Sequence, residues 1–127
     1  MKKRLILIIL LTSISCAGQQ SEKIKIIGID IIENEVIGKN VQLIDIRTPG
    51  EYKAGYIDDA INIDFYDLGN FIIQFEKLDK TKPVYIYCHS GVRSRHASNK
   101  LIALGFTKIY DYKGGYKEWS KKQIKKE

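Results

Sequence analysis

The tightest constraint on this chain is a strand that runs almost directly into a helix. Val84-Tyr85-Ile86-Tyr87 is an unbroken β-branched and aromatic run bounded by turn or polar residues, the composition of a strand. Residues 94–104 have helix length. Ala97, Leu101 and Leu104 fall on one face, and Gly105-Phe106 supplies a C-terminal stop with a hydrophobic contact. The pattern repeats elsewhere: residues 41–44 read as a second strand, and residues 24–27, 60–63 and 108–110 as weaker ones. Residues 29–37 and 68–77 have helix length and composition. Strands alternating with helices imply a parallel sheet covered on both faces, an α/β fold. In such sheets reactive groups gather beyond the carboxyl ends of the strands.

The segment between the best strand and the best helix is Cys88-His89-Ser90-Gly91-Val92-Arg93-Ser94. A loop in that position turns several backbone N–H groups inward, and the helix that follows adds partial positive charge. A thiolate on Cys88 is stabilised there and becomes nucleophilic near neutral pH. Gly91 permits a tight turn. Arg93 offers a planar guanidinium to an anion or to the loop itself. No acidic residue occurs from Cys88 to Asn99, while Arg93 and Arg95 are cationic. His89 reads as substrate-facing charge tuning rather than as a general base. Asp45 and Arg47 stand at the end of a strand on this same side, either bracing Arg93 or serving as surface structure. Tyr85, Tyr87 and Trp119 read as packing residues.

These motifs together resemble the rhodanese-homology family. Its active-site loop, Cys-x-x-Gly-x-Arg-Ser/Thr, is matched by Cys88, Gly91, Arg93 and Ser94. Upstream, Leu43-Ile44-Asp45-Ile46-Arg47 with Glu51-Tyr52 and Gly55-Tyr56-Ile57 resembles the family's Asp-Val-Arg and Glu-Tyr-x-x-Gly-His-Ile segment, with Tyr56 where the family usually has His. Gly114-Gly115 followed by Trp119 is similar to its closing Gly-Gly-x-x-x-Trp, so the likeness spans residues 23–120. The resemblance implies a three-layer α/β fold, with about five parallel strands in a central sheet and helices on both faces. It also implies a sulfurtransferase. Cys88 would accept sulfur from a small anionic donor and pass it as a persulfide to a thiol or cyanide acceptor. The loop amides from Ser90 to Arg93 would hold the terminal sulfur, with His89, Val92 and Ser94 completing the loop. No cofactor or metal is implied. Two other readings stay open: a redox-sensing or non-catalytic binding module on the same fold, and a phosphatase or arsenate reductase. Those enzymes resemble Cys-x5-Arg loops, whereas four residues separate Cys88 from Arg93.

The chain's start reads differently from its body. Lys2-Lys3-Arg4 precede Leu5-Ile6-Leu7-Ile8-Ile9-Leu10-Leu11, the basic and apolar parts of a secretory signal. The run is well short of the ~18 residues that cross a bilayer. Ser13-Ile14-Ser15-Cys16 then resembles a bacterial lipobox. Residues 1–16 are therefore expected to be a signal peptide, Cys16 a lipidation site, 17–22 a tether, 23–122 the domain and 123–127 a basic tail. A lipid-anchored domain outside the cytoplasm, in the bacterial envelope and on the periplasmic side, follows. Ordinary secretion after Ala17 is the alternative. Acylation or removal of Cys16 leaves Cys88 with no disulfide partner, since the chain has two cysteines. The formal charge is +6, from 21 basic and 15 acidic side chains, and losing Lys2, Lys3 and Arg4 halves that excess. With no arginines interleaved with aromatics, nucleic acid is not an expected partner. Replacing Cys16→Ala is expected to release the protein from the membrane fraction or leave it uncleaved. Wild-type protein found free of membranes and already lacking Ala17 would replace the lipoprotein reading with secretion.

Overall fold

The structure is a computed structural model that describes residues 22–127, so the leader, Cys16 and nearly all of the tether lie outside it. Five strands form one sheet: β1 (Ile24–Ile27), β2 (Gln42–Asp45), β3 (Ile61–Asn62), β4 (Val84–Tyr87) and β5 (Ile109–Tyr112). Their order across the sheet is β1-β5-β4-β2-β3, and every neighbouring pair is parallel. The helices are α1 (Ile29–Ile31), α2 (Pro49–Lys53), α3 (Leu68–Glu76), α4 (Val92–Ala103) and α5 (Gly115–Ile124). The expected α/β architecture is the one observed.

Alternation along the strands separates two cores. Val84, Ile86 and Cys88 face α3 and α4 with Ile44, Phe71, Phe75, Ala97, Leu101 and Ile109. Tyr85 and Tyr87 face the opposite side with Leu43, Tyr112 and Trp119, where α5 and the segment after β1 cover them. A side-chain period of two on a sheet buried on both faces demands this split. Trp119 and the two β4 tyrosines are thus packing residues. Tyr85 stacks on Tyr110, and Tyr87 accepts the Ile57 N–H at 2.9 Å.

The sequence pattern and the structure differ at several boundaries. The helix expected over 29–37 is one α-turn that widens over Ile32–Val36, where Ile37 N–H reaches the Ile32 carbonyl at 3.0 Å. That wider turn puts both Ile32 and Val36 fully inside. Helix α4 begins at Val92 rather than Ser94, because Gly91 takes up the left-handed N-cap conformation at φ +93°. Helix α5 continues to Ile124, into the stretch read as a tail, and Lys122 and Lys126 both pair with Glu33. Helix α2 has no counterpart among the expected elements, although its start is written in the sequence. Thr48 and Glu51 form a reciprocal capping box with Pro49 at the first helical position. Among the described residues no helix is long and apolar enough to cross a membrane.

Leu101 sits at 0% exposure between α4 and the sheet. Leu101→Ala is expected to lower unfolding free energy by about 2–5 kcal/mol, since the surrounding core collapses only partly into the cavity. Denaturant titration of both proteins measures it, and a loss under ~1 kcal/mol would mean that this face is not the closely packed core described.

Candidate active site

Beyond the carboxyl end of β4 the backbone wraps around the Cys88 sulfur. Gly91 N–H donates to Sγ at 3.1 Å and Ser94 N–H at 3.4 Å. The Ser94 hydroxyl donates to the Gly91 carbonyl at 3.3 Å and closes the turn. Cys88 itself is only 1% exposed. His89, Ser90 and Val92 are exposed on that loop.

Amides can point at the sulfur because the carbonyls point elsewhere. Cys88 C=O accepts from Tyr116 N–H at 2.9 Å, and His89 C=O accepts from Lys117 N–H at 3.0 Å. These donors belong to the first turn of α5, whose N–H groups have no partner within their own helix. The approach requires Gly115, at φ +63°, because a Cβ there would lie 2.5–2.7 Å from the backbone of Cys88 and His89. Gly91 is constrained in the same way. Its Cβ would lie 2.5 Å from the Lys113 carbonyl oxygen. Gly115 is therefore what seats α5 on the loop.

Arg93 is held by a residue that sequence reasoning left without a role. Its two terminal nitrogens donate to Glu51 Oε1 at 2.8 Å and Oε2 at 2.9 Å, and its guanidinium lies 5.3 Å from the centre of the Tyr66 ring. Glu51 Oε1 also accepts from the Thr48 hydroxyl at 3.0 Å, so one carboxylate caps α2 and clasps the loop arginine. The Arg93 fork, together with Thr48 and against the opposing effect of burial, holds the Glu51 carboxyl down at about 2. The Thr48-Pro49-x-Glu51 spacing was the available signal for this residue.

Asp45 and Arg47 do not brace Arg93, which corrects one expectation. They pair with each other at 2.7 Å, at 0% and 2% exposure, and Arg47 also donates to the Gly55 carbonyl at 2.6 Å. Its guanidinium carbon lies 4.1 Å from the centre of the Tyr116 ring. A buried carboxylate needs a full counter-charge, and Asp45 takes the Arg47 fork. The pair is neither surface structure nor part of the mouth: it ties the 55–57 turn to α5. Tyr56, 46% exposed, stacks on Tyr52 at 4.2 Å. Among the described residues no group of three or more His, Cys, Asp and Glu side chains is gathered as a metal ligand set. Hollows of about 270 and 220 Å³ lie at the other end of the strands, against Lys25 and Lys108 and against Gln42 and Lys82, away from Cys88.

Known proteins share this fold and part of this sequence. Residues 29–122 match the Rhodanese-like domain family. The protein YqhL of Bacillus subtilis is 40% identical over 84 residues, which are 66% of this chain and 64% of that protein. Thiosulfate sulfurtransferase GlpE of Shewanella oneidensis is 35% identical over 81 residues, 64% of this chain and 77% of the relative. The crystal structure of a rhodanese-like domain protein from Staphylococcus aureus superposes with a TM-score of 0.65 at 31% identity, covering 75% of this chain and 90% of the other.

The Glu51–Arg93 clasp has a pH signature. Because the folded carboxyl is held at about 2, its stabilisation is complete above the ordinary glutamate value and is lost as pH falls through that value toward 2. Acid unfolding of wild type is expected to include this loss, and Glu51→Gln to lack it and to turn over more slowly at neutral pH. Identical acid-unfolding curves for the two proteins would show that the pair adds nothing to the fold.

Proposed function

The chain belongs to the rhodanese-like domain family, and on that premise we propose that it is a sulfurtransferase whose Cys88 carries the transferred sulfur as a persulfide. One observation carries the reading: two backbone N–H groups, of Gly91 and Ser94, aim at a buried Cys88 sulfur at the base of a loop with four residues before Arg93. Donors placed in advance on a sulfur stabilise the charge it bears before and after attack.

The steps balance without a further reagent. The Cys88 thiolate attacks the outer sulfur of thiosulfate; the Sγ–S bond forms, the donor's S–S bond breaks, and sulfite leaves with the electron pair. The terminal persulfide sulfur then bears the negative charge within reach of the loop amides. A thiol or cyanide acceptor attacks that sulfur, and Cys88 is returned as thiolate. The relatives named thiosulfate sulfurtransferase favour this donor class.

Two features weigh against oxyanion chemistry. The loop is one residue shorter than a Cys-x5-Arg cradle, and the Arg93 fork is spent on both oxygens of Glu51 rather than left open to a tetrahedral anion. A purely binding module would not need Sγ held by loop amides. Cellular position rests on the N-terminal sequence alone. Lys2-Lys3-Arg4, the apolar run and the lipobox-like Cys16 support a lipid-anchored envelope protein whose donor and acceptor meet it outside the cytoplasm.

Incubating the purified full chain with thiosulfate is expected to add one sulfur, ~32 Da, to the intact mass, and cyanide to remove it as thiocyanate. Cys88→Ser is expected to do neither. If thiosulfate, low-molecular-weight persulfides and mercaptopyruvate all fail to add that mass to folded protein, the sulfurtransferase reading is overturned and the redox or binding module takes its place.

A further inference from the structure

The proposed chemistry leaves one buried ionisable side chain beside the site unused. Asp111 lies opposite Ile86 in the parallel register of β5 with β4, one strand across from the residue two places before Cys88. It shares a sheet face with Ile109, Ile86 and Cys88, under α4, and is 3% exposed. Its Oδ1 is buried without a hydrogen-bond partner. An ionised carboxylate in that setting is costly, because a buried oxygen is left without a donor.

Its surroundings are mostly apolar. In register, β4 presents Ile86 and β1 presents Ile26. Helix α4 contributes the Ser94 side chain, within reach of the carboxyl, and the positive charge of Arg95, whose residue is exposed. Ser98 is buried nearby on α4, with its hydroxyl donated to the Ser94 carbonyl at 2.9 Å. Cys88 is a further titratable group on this face.

Ser94 joins the carboxyl to the sulfur. Its N–H is one of the two donors on Sγ, and its hydroxyl donates to the carbonyl of Gly91, which supplies the other. A serine hydroxyl has one proton to give. While that proton goes to Gly91, Ser94 Oγ can only accept from Asp111, and the bond then needs a proton on the carboxyl. An ionised Asp111 draws the hydroxyl proton to itself, frees the Gly91 carbonyl and sets a negative charge near the thiolate.

We propose that Asp111 is a positioning residue for Cys88: its protonated carboxyl donates to Ser94 Oγ, and the chain Asp111–Ser94–Gly91 holds both amide donors on the sulfur. Burial raises the Asp111 carboxyl above its ordinary value against the opposing pulls of Ser94 and Arg95, which extends the protonated form upward from acidic pH. As pH rises through that value the chain opens and the thiol is held less firmly. The proposal deepens the sulfur-transfer reading, but the property it concerns is thiol reactivity, which can be measured without any sulfur donor.

The test is the rate at which iodoacetamide alkylates Cys88 in the full chain, read from the mass of the Cys88 peptide across pH. Asp111→Asn keeps a donor to Ser94 at every pH. It is expected to match wild type below the Asp111 titration, to react faster above it, and to lose that step from its pH profile. Asp111→Leu, without a donor, is expected to react at least about fivefold more slowly than Asp111→Asn, the effect of one neutral hydrogen bond. In a Ser94→Ala background the Asn and Leu variants are expected to be alike. Identical profiles for wild type and Asp111→Asn would overturn the proposal even if the Leu variant does not fold. So would an Asn–Leu difference that survives Ser94→Ala. The expected alkylation pattern without any persulfide formed from sulfur donors would overturn the proposed function and leave the role of Asp111 standing.

Discussion

The hydrogen bonds from Tyr116 and Lys117 to the carbonyls of Cys88 and His89 are the contact on which the rest of the site depends. A loop after a strand has no intrinsic reason to turn its amides toward one side chain. Here two of its carbonyls are drawn outward by the free N–H groups at the start of α5, and the amides of Gly91 and Ser94 are left facing the sulfur. Each partner meets a need of the other: the helix start has donors without acceptors, and the loop has acceptors that must leave the site. The contact exists only because Gly115 brings no Cβ into that space.

A second set of polar contacts ties distant segments to the same loop. Glu51 is held twice, by Thr48 as the cap of α2 and by Arg93 as the clasp of the loop, so the short helix and the active-site turn are ordered together. Asp45 and Arg47 act one layer further out. Their buried pair anchors the 55–57 turn through the Gly55 carbonyl and lies against Tyr116, the residue whose N–H holds Cys88. The polar groups buried around Cys88 thus trace back to β2, α2, α4 and α5. Their geometry is shared, and a change in one is expected to be felt at the sulfur.

Much of this was legible from local pattern, where one segment contains its own physical cause. The β-branched and aromatic run of β4, the glycine that opens α4 and the Gly105-Phe106 stop are short-range signals, and each element lies within a few residues of its reading. The short helix α2 went unread although Thr48, Pro49 and Glu51 spell its start, because five residues hold too little periodicity to stand out. The wide turn over Ile32–Val36 was illegible for another reason. It follows from the fit of two residues into a core made by other strands.

The sequence by itself determined that Cys88 ends a strand, that a glycine and an arginine follow at turn spacing, and that parallel strands alternate with covering helices. All of these are set by periods of two and about 3.6 residues and by the conformational freedom of glycine. Which groups meet was decided only by the tertiary structure. Glu51 and Arg93 are 42 residues apart, Gly115 approaches the loop across a strand, and Asp111 comes to lie near Ser94. None of these pairings follows from local pattern, because they depend on the order β1-β5-β4-β2-β3. That order sets β4 between the strand ending in Asp45 and the strand carrying Asp111. It is chosen by how the crossover helices pack over the whole sheet, a long-range balance that no single segment contains.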